Sequence, residues 1–359
     1  MIYDNLIIND SIWTKLRNMQ NANTIPHAIL FHGSNGSGKE GHAIEFASML
    51  NYKTNADLEK IKIFQHPNIH LITPIIKDKT INKKSNALSA MSEKSLEEYI
   101  LMKKDKMLHP YKKISFKKKS TILINSIRDI KKNIHLNDGR LNIYMIFEAD
   151  KLCFPRNEAG NALLKVLEEP PSQTIFILVT SKKENMLDTI VSRCCDFYFQ
   201  KIPAEKISNY IEKNNYQIEE KDLLIRLCNN DIGLILKMID QKIDLVTIIN
   251  KSKIFISDVI NQSNNQRHSY ELEKLFKRDK HEFIFFIKIS IIILNDLYNI
   301  IHHIDKLLIL KNNLKVKDLN YLNCINILED YYKKLESNLN PSIGMFAMII
   351  DMKKALNKK

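Results

Sequence analysis

Cysteine pairs with metal-binding spacing and long hydrophobic runs are both missing from this chain of 359 residues. Its five cysteines form no Cys-x-x-Cys pair, so neither a disulfide framework nor a metal site is predicted. The longest apolar run, 283–294, includes Lys288 and is shorter than the roughly 20 residues that a membrane-spanning helix needs. The first residues do not combine a basic segment with an apolar one, as a secretory signal would. We therefore expect a soluble, cytoplasmic protein.

Glycine and alanine are also rare, whereas lysine, isoleucine and asparagine are abundant. Lys and Arg total 54 against 41 Asp and Glu, which gives a formal net charge of +13. Only eight of the basic residues are arginines. Part of the charge therefore reflects a general compositional bias toward lysine. A basic surface still attracts polyanions, of which nucleic acid is the main candidate.

Short apolar runs alternate with helical patterns through about the first 200 residues. Four runs are interpreted as buried strands: 28–31, 69–74, 142–147 and 174–179. Strands separated by helices indicate βαβ units, and therefore a mostly parallel sheet flanked by helices. After residue 203 the strand signals stop. The sequence thus predicts an α/β domain at 1–202, a small helical domain at 203–245 and a helical bundle at 246–359.

A lysine- and serine-rich segment, 76–119, interrupts this pattern. One helix is predicted in it, from about Ser92 to Met107. Tyr111 and Phe116 lie among the lysines, a mixture that can hold a phosphate backbone and stack bases. The sequence favours the other interpretation, a solvated insertion in a lysine-biased chain.

The strongest short motif, Gly33-Ser-Asn-Gly-Ser-Gly-Lys-Glu40, follows a predicted strand and precedes a predicted helix. It supplies six candidate phosphate-binding residues: Gly33, Gly36, Ser37, Gly38, Lys39 and Glu40. In such loops, backbone N–H groups converge on phosphate oxygens, and Lys39 would reach the β- and γ-phosphates. Glu40 stands where Ser or Thr would bind Mg²⁺. A carboxylate can bind the metal, but it also brings negative charge beside a polyphosphate, so the loop is predicted to be degenerate.

The strand at 142–147 shows a second departure from an active ATPase. Such a strand should end in Asp, for the magnesium shell, and Glu, to orient the attacking water. Glu148 is present, but Phe147 occupies the Asp position and cannot bind a cation. Asp150 lies beyond the strand and is interpreted as a helix cap or surface residue. We therefore expect a nucleotide-binding fold that does not hydrolyse ATP.

Four segments together resemble the clamp-loader branch of the AAA+ ATPases: 25–39 (IPHAILFHGSNGSGK), 148–152 (EADKL), 158–181 (EAGNALLKVLEEPPSQTIFILVTS) and 189–194 (TIVSRC). The resemblance covers about residues 1–240 by motif and the rest by position only. It implies an α/β AAA+ P-loop domain, a small helical lid and a C-terminal all-α collar that joins subunits. It also implies partners, namely other clamp-loader subunits of the gamma/tau and delta types, a sliding clamp and primed DNA.

The resemblance further implies roles for single residues. Arg193, in Ser192-Arg193-Cys194, matches an arginine finger that acts in trans on the γ-phosphate bound by a neighbouring subunit; a structural pair with a carboxylate is the alternative. Thr180 falls at the sensor 1 position, and Leu234 replaces the usual basic residue of sensor 2. Glu168 and Glu169 are consecutive and cannot face one reacting bond, so they are interpreted as structural.

The leading hypothesis is a non-hydrolysing clamp-loader subunit within a DNA polymerase holoenzyme. No cofactor is required in this hypothesis, although weak ATP or ADP binding without productive Mg²⁺ stays open. One alternative is a divergent gamma/tau-like motor subunit in which Glu40 binds Mg²⁺. Another is a scaffold that contributes only assembly contacts.

Overall fold

The computed structural model describes residues 1–133, 140–263, 265–304, 306–310, 316–336 and 340–356. Within these ranges, five strands form one parallel sheet: β1 Ala28–Gly33, β2 Ile69–Ile72, β3 Asn142–Phe147, β4 Thr174–Thr180 and β5 Cys195–Phe199. Their order across the sheet is β2-β3-β4-β1-β5, so β1 lies between β4 and β5. Every residue of β3 and β4 is buried, as expected for parallel strands covered on both faces. The predicted parallel α/β fold is confirmed.

The edge strand β5 is the one that the sequence did not predict. Phe197 and Phe199 are buried, whereas Asp196 and Tyr198, which alternate with them, are exposed. Because one face of this strand meets solvent, it lacks the continuous apolar run by which β1, β3 and β4 were recognised.

The described residues also form fifteen α-helices. The first eight are α1 Asp10–Asn21, α2 Lys39–Asn51, α3 Asn55–Lys62, α4 Glu93–Leu108, α5 Ile124–Asn133, α6 Glu158–Glu168, α7 Asp188–Val191 and α8 Ala204–Lys213. The others are α9 Lys221–Leu227, α10 Ile232–Asp240, α11 Leu245–Ile260, α12 Asn265–Arg278, α13 Lys280–Ile301, α14 Tyr321–Glu336 and α15 Pro341–Leu356. Side chains of Asn9, Ser92 and Asp244 cap the first turns of α1, α4 and α11 by accepting backbone N–H bonds.

The chain divides into two compact units. The first comprises Met1–Asn214 and Asn230–Leu236, and the second comprises Asn215–Asn229 and Lys237–Lys359. Residues of the predicted lid, 203–245, therefore occur in both units. The three-domain division stays a prediction, and five short stretches of the predicted collar lie outside the described residues.

An apolar core joins the sheet of the first unit to three helices. Ile127 of α5, Leu163 of α6 and Ile190 of α7 belong to one cluster with Ile146 of β3 and Leu178 of β4, all at most 1% exposed. Full burial of one such side chain stabilises the fold by about 1.5–3 kcal/mol. This packing fixes the carboxyl ends of the central strands, where the candidate site residues lie.

The segment 76–119 is folded, contrary to the solvated insertion that the sequence favoured. The helix predicted at Ser92–Met107 is present as α4, and Tyr99 of α4 lies in a small apolar core of this segment. Phe116 packs against the same core, with its ring centroid 6.3 Å from that of Tyr99. Tyr111 is only 5% exposed. Tyr111 is therefore too buried to stack on a base, which corrects that interpretation, whereas Phe116 is half-buried and its interpretation stays a prediction.

The second unit is helical in its described part, as the sequence predicted. Helix α13 packs against α11 and α14, and α12 packs against α15. By length and composition alone, α13 would be able to cross a membrane. Half of its most apolar window is buried, however, and Phe283, Ile289 and Leu294 are among its core residues. This is the pattern of a helix at the centre of a bundle.

Candidate functional site

The candidate phosphate loop connects β1 to α2, as the sequence predicted. Gly36 and Gly38 have φ angles of +67° and +81°, a region that L side chains rarely adopt. A Cβ on Gly36 would also lie 2.3 Å from Oδ1 of Asp231. Asp231 precedes α10, where its Oδ1 accepts the backbone N–H of Leu234 at 3.1 Å. Glycine is thus required where this second segment of the chain meets the loop.

The side chain of Lys39 is folded back onto the loop. Its Nζ donates to the carbonyl oxygens of Gly33 and Ser34, at 3.0 and 2.5 Å, and to Oγ of Ser37 at 3.3 Å. The residue is only 6% exposed. Burial, and then the charge of Lys113, lowers the pKa of Lys39 to about 8. The ammonium that would reach a polyphosphate is therefore satisfied by oxygens of its own loop.

Glu40 forms an ion pair with a residue that the sequence did not single out. Its Oε2 lies 2.5 Å from Nζ of Lys106, near the end of α4. The same Nζ donates to the carbonyl oxygen of Pro110 at 2.7 Å and lies 5.8 Å from the ring centroid of Phe147. Lys106 is 1% exposed, and burial lowers its pKa while the charge of Glu40 opposes that shift. An internal ammonium thus lies near both positions at which the sequence departs from a magnesium-binding loop, Glu40 and Phe147.

Residues 110–113, which we call the strap, continue from α4 over the phosphate loop. The hydroxyl of Tyr111 accepts the backbone N–H of Ile7 at 2.8 Å, which fixes the strap to the N-terminal segment. Nζ of Lys113 donates to Oδ1 of Asn35 at 2.9 Å, in the middle of the loop. The strap is therefore bonded to the loop and also to the segment that precedes α1.

The free space at the loop is about 50 Å³. It is bounded by the loop, Lys106, the strap, Glu148 and Thr180. Pockets that bury a drug-sized ligand measure roughly 300–1,000 Å³. Among the described residues, no group of three or more His, Cys, Asp or Glu side chains is arranged to hold a metal ion. In this arrangement, the residues at the loop do not fit a magnesium–nucleotide complex.

The two other predicted site positions bind neighbours within the first unit. Glu148 forms an ion pair with Lys151, whose Nζ is 2.7 Å away. Oγ1 of Thr180 donates to Oδ1 of Asp150 at 2.6 Å and accepts the backbone N–H of Lys182 at 2.9 Å. Thr180 therefore caps the end of β4, and Asp150 serves as its partner.

Arg193 follows the short helix α7 and precedes β5. Its Nη1 donates to the carbonyl oxygen of Thr189 at 2.9 Å, and its Nη2 lies 3.0 Å from Oε1 of Glu168. The side chains of Arg193 and Glu168 are 37% and 45% exposed. Arg193 does not border the cavity at the loop, and it presents a partly solvated guanidinium at the surface.

Most of the predicted site residues therefore meet around one cavity, and Arg193 lies elsewhere. Sequence reasoning missed Lys106 and the strap, although one signal pointed to Lys106. Tyr99 and Lys106 are seven residues apart on α4, so they share a helix face, and Tyr99 is a core residue. A lysine at a position with the spacing of the buried face indicates a buried charge with a partner.

The parallel sheet, the loop between β1 and α2 and the helical part that follows define an α/β protein of the AAA+ class. Within this class, the family model described as DNA polymerase III, delta subunit, matches residues 8–203. The chain belongs to this family. The clamp-loader resemblance predicted from the sequence is confirmed.

Several curated relatives are similar to parts of the chain. DNA polymerase III subunit delta' of Bacillus subtilis is 25% identical over 214 residues, which are 57% of this chain and 52% of that protein. DNA polymerase III subunit gamma of Buchnera aphidicola subsp. Schizaphis graminum is 29% identical over 199 residues, 50% of this chain and 53% of that protein. DNA polymerase III subunit tau of Bacillus subtilis is 33% identical over 126 residues, 33% of this chain and 22% of that protein.

The chain thus spans between about a fifth and about half of the length of these relatives. Among solved structures, a DNA polymerase III gamma subunit-related protein from Thermotoga maritima matches with a TM-score of 0.42 and 14% identity. That match covers 95% of this chain and 99% of the other.

Proposed function

We propose that this chain is a non-hydrolysing, delta-prime-type subunit of a clamp loader. It donates Arg193 in trans to ATP bound by a gamma/tau-type motor subunit of a DNA polymerase III holoenzyme in the cytoplasm. The observation that carries the proposal is the surface position of Arg193, whose guanidinium is partly solvated and forms an ion pair with the exposed carboxylate of Glu168. A planar cation in this setting suits the charge that develops on a transferring phosphoryl group.

The state of the chain's own phosphate loop supports a role in trans. A motor subunit in which Glu40 binds Mg²⁺ needs that carboxylate to be available, but Glu40 is paired with Lys106. Phe147 removes the other carboxylate that would hold the metal. Hydrolysis at this loop is therefore disfavoured, which leaves Arg193 as the group able to assist hydrolysis elsewhere.

Because the pair of Arg193 with Glu168 is exposed, moving the guanidinium from Glu168 to a phosphate requires little free energy. Exposed ion pairs stabilise a fold by about 0–1 kcal/mol, so Arg193 exchanges Glu168 for a phosphate at little cost. In this proposal the assembly opens a sliding clamp and places it on primed DNA, and the C-terminal helices of this chain join it to the other subunits.

The test is the DNA-stimulated ATPase of a complex reconstituted with its motor subunits. We expect Arg193→Ala to reduce turnover at the adjacent site by about 10³-fold or more, because arginine fingers contribute factors of roughly 10³–10⁵. Arg193→Lys should recover only part of this rate, since lysine lacks the planar donors. Arg156→Ala is the matched control, because Arg156 is 82% exposed and also lies near a carboxylate, that of Glu158.

Size-exclusion chromatography must show that each variant still enters the complex. A normally assembled Arg193→Ala complex with unchanged ATPase would contradict the finger and leave the scaffold alternative. Mg²⁺-dependent turnover by the isolated chain, abolished by Lys39→Ala, would instead establish the motor alternative.

A further inference from the structure

We propose that Lys106 is a built-in replacement for Mg²⁺ at the phosphate loop, and that its ammonium and the strap keep this loop closed to nucleotide. The inference deepens the proposed function at the chain's own loop and rests on it. In a working loop, a hydroxyl at position 40 and a carboxylate at the end of β3 would support the metal. Here Nζ of Lys106 contacts the carboxylate at position 40 and lies 5.8 Å from the ring centroid of Phe147.

The contacts of this ammonium account for the departures on both sides of the loop. A carboxylate at position 40 would repel a polyphosphate, but it is a suitable partner for an internal cation. The carbonyl oxygen of Pro110, at 2.7 Å, supplies a second oxygen. Phe147 presents an aromatic ring toward a cation that already has a carboxylate partner. Glu40 and Phe147 are therefore parts of one arrangement around Lys106 rather than two separate losses.

Burial of Lys106 favours keeping its ammonium paired with Glu40. Lys106 is 1% exposed, and a charge at such a site persists only with a partner. The strap that follows α4 is bonded to Asn35 of the loop through Lys113 and to Ile7 through Tyr111. Entry of a nucleotide therefore requires removal of the internal cation and displacement of the strap.

The test measures binding of a fluorescent ADP analogue to the full-length isolated chain, with and without Mg²⁺. We expect no Mg²⁺-dependent binding by the wild type or by Glu40→Thr alone, because Lys106 still occupies the cation position. The double variant Glu40→Thr/Lys106→Met restores the hydroxyl and removes the ammonium. It should bind the analogue at least tenfold more tightly with Mg²⁺ than without it.

Lys104→Met is the matched control, because Lys104 is an exposed lysine on the same helix. Circular dichroism identifies variants that fail to fold, and adding Tyr111→Ala to the double variant frees the strap from Ile7 as a second route to an open loop. Mg²⁺-dependent binding by the wild type, an equal gain in Glu40→Thr alone, or no gain in either folded multiple variant would overturn the inference.

This test and the Arg193 test fail independently. Nucleotide binding by the isolated wild type would overturn the role of Lys106 and leave the trans effect of Arg193 untouched. An unchanged ATPase in an assembled Arg193→Ala complex would overturn the finger and leave the closed loop intact.

Discussion

The phosphate loop and the Arg193 region both carry basic residues of a catalytic type, in very different surroundings. At the loop, Lys39 and Lys106 are 6% and 1% exposed, and they bind backbone oxygens and the carboxylate of Glu40. At the surface, Arg193 is 37% exposed and shares a partly solvated pair with Glu168. The charges at the loop are therefore paired within the chain, whereas the exposed pair of Arg193 with Glu168 can open to solvent.

Solvation decides which of these cations can act on another molecule. A buried pair that loses one member leaves a charge without compensation, which costs about 3–5 kcal/mol. An exposed pair is stabilised by only about 0–1 kcal/mol, because water takes over each charge when the pair opens. The proposed function requires Arg193 to contact a neighbouring subunit in each reaction cycle, and its exposed pair with Glu168 is of the second kind.

The largest expected effect on stability comes from removing the buried ammonium of Lys106. Lys106→Met should reduce the free energy of unfolding by about 3–5 kcal/mol at pH 7, because Glu40 is left beside an apolar side chain without its cation. Urea denaturation of the full chain measures the change. Adding Glu40→Gln should recover most of the loss, since a neutral amide then replaces the carboxylate.

Lys104→Met on the same helix should change stability by less than about 0.5 kcal/mol, as is usual for exposed surface positions. A loss of under 1 kcal/mol in Lys106→Met would show that the pair does not hold the loop closed. The buried pair would then contribute no more to stability than an exposed pair does.

The next effect concerns His42, which supports the loop from α2. Its Nδ1 lies 2.8 Å from the carbonyl oxygen of Gly38, and its Nε2 lies 3.0 Å from the backbone N of Asn9. The neutral ring therefore donates from Nδ1 and accepts the Asn9 N–H at Nε2. Burial lowers the pKa of His42 to about 4, although the bond to Gly38 acts in the opposite direction.

Between pH 6.5 and about 4, the unfolded chain protonates this histidine and the folded chain does not. Stability should therefore fall as the pH drops, by up to about 1.4 kcal/mol per pH unit from this group. His42→Gln cannot titrate, so its unfolding free energy should lack that part of the slope. Parallel slopes in the two proteins between pH 6.5 and 5 would contradict a neutral, buried His42.

The sequence predicted the residues of the phosphate loop but not the partner of Glu40, for a physical reason. The phosphate loop, Glu40 and Phe147 were found because a short motif and two local departures from it lie next to predicted strands. The partner of Glu40 is 66 residues away in the chain, inside a segment whose lysines suggested a solvated surface. Local patterns do not report which of many lysines is buried, and only the position of Lys106 on the face of Tyr99 pointed to it.

The difference between local patterns and tertiary packing also explains which strands were predicted and which one was not. Strands β1, β3 and β4 were predicted because they include continuous apolar runs, whereas β5 alternates buried Phe197 and Phe199 with exposed residues at the sheet edge. Arg193 was found from its motif, but its pairing with Glu168 depends on how the end of α6 meets the turn after α7. That meeting is tertiary packing, which the motif does not encode.

The smallest expected effect concerns the exposed pair of Arg193 and Glu168. Glu168→Gln removes the charge beside Arg193 but keeps an oxygen that can accept its N–H. Because the pair is exposed, the free energy of unfolding should change by no more than about 1 kcal/mol, and exposed Glu169→Gln is the neighbouring control. In the assembled complex, the ATPase should stay at least as high as in the wild type, since Arg193 is released. A loss as large as that of Arg193→Ala would mean instead that Glu168 positions the arginine for its task.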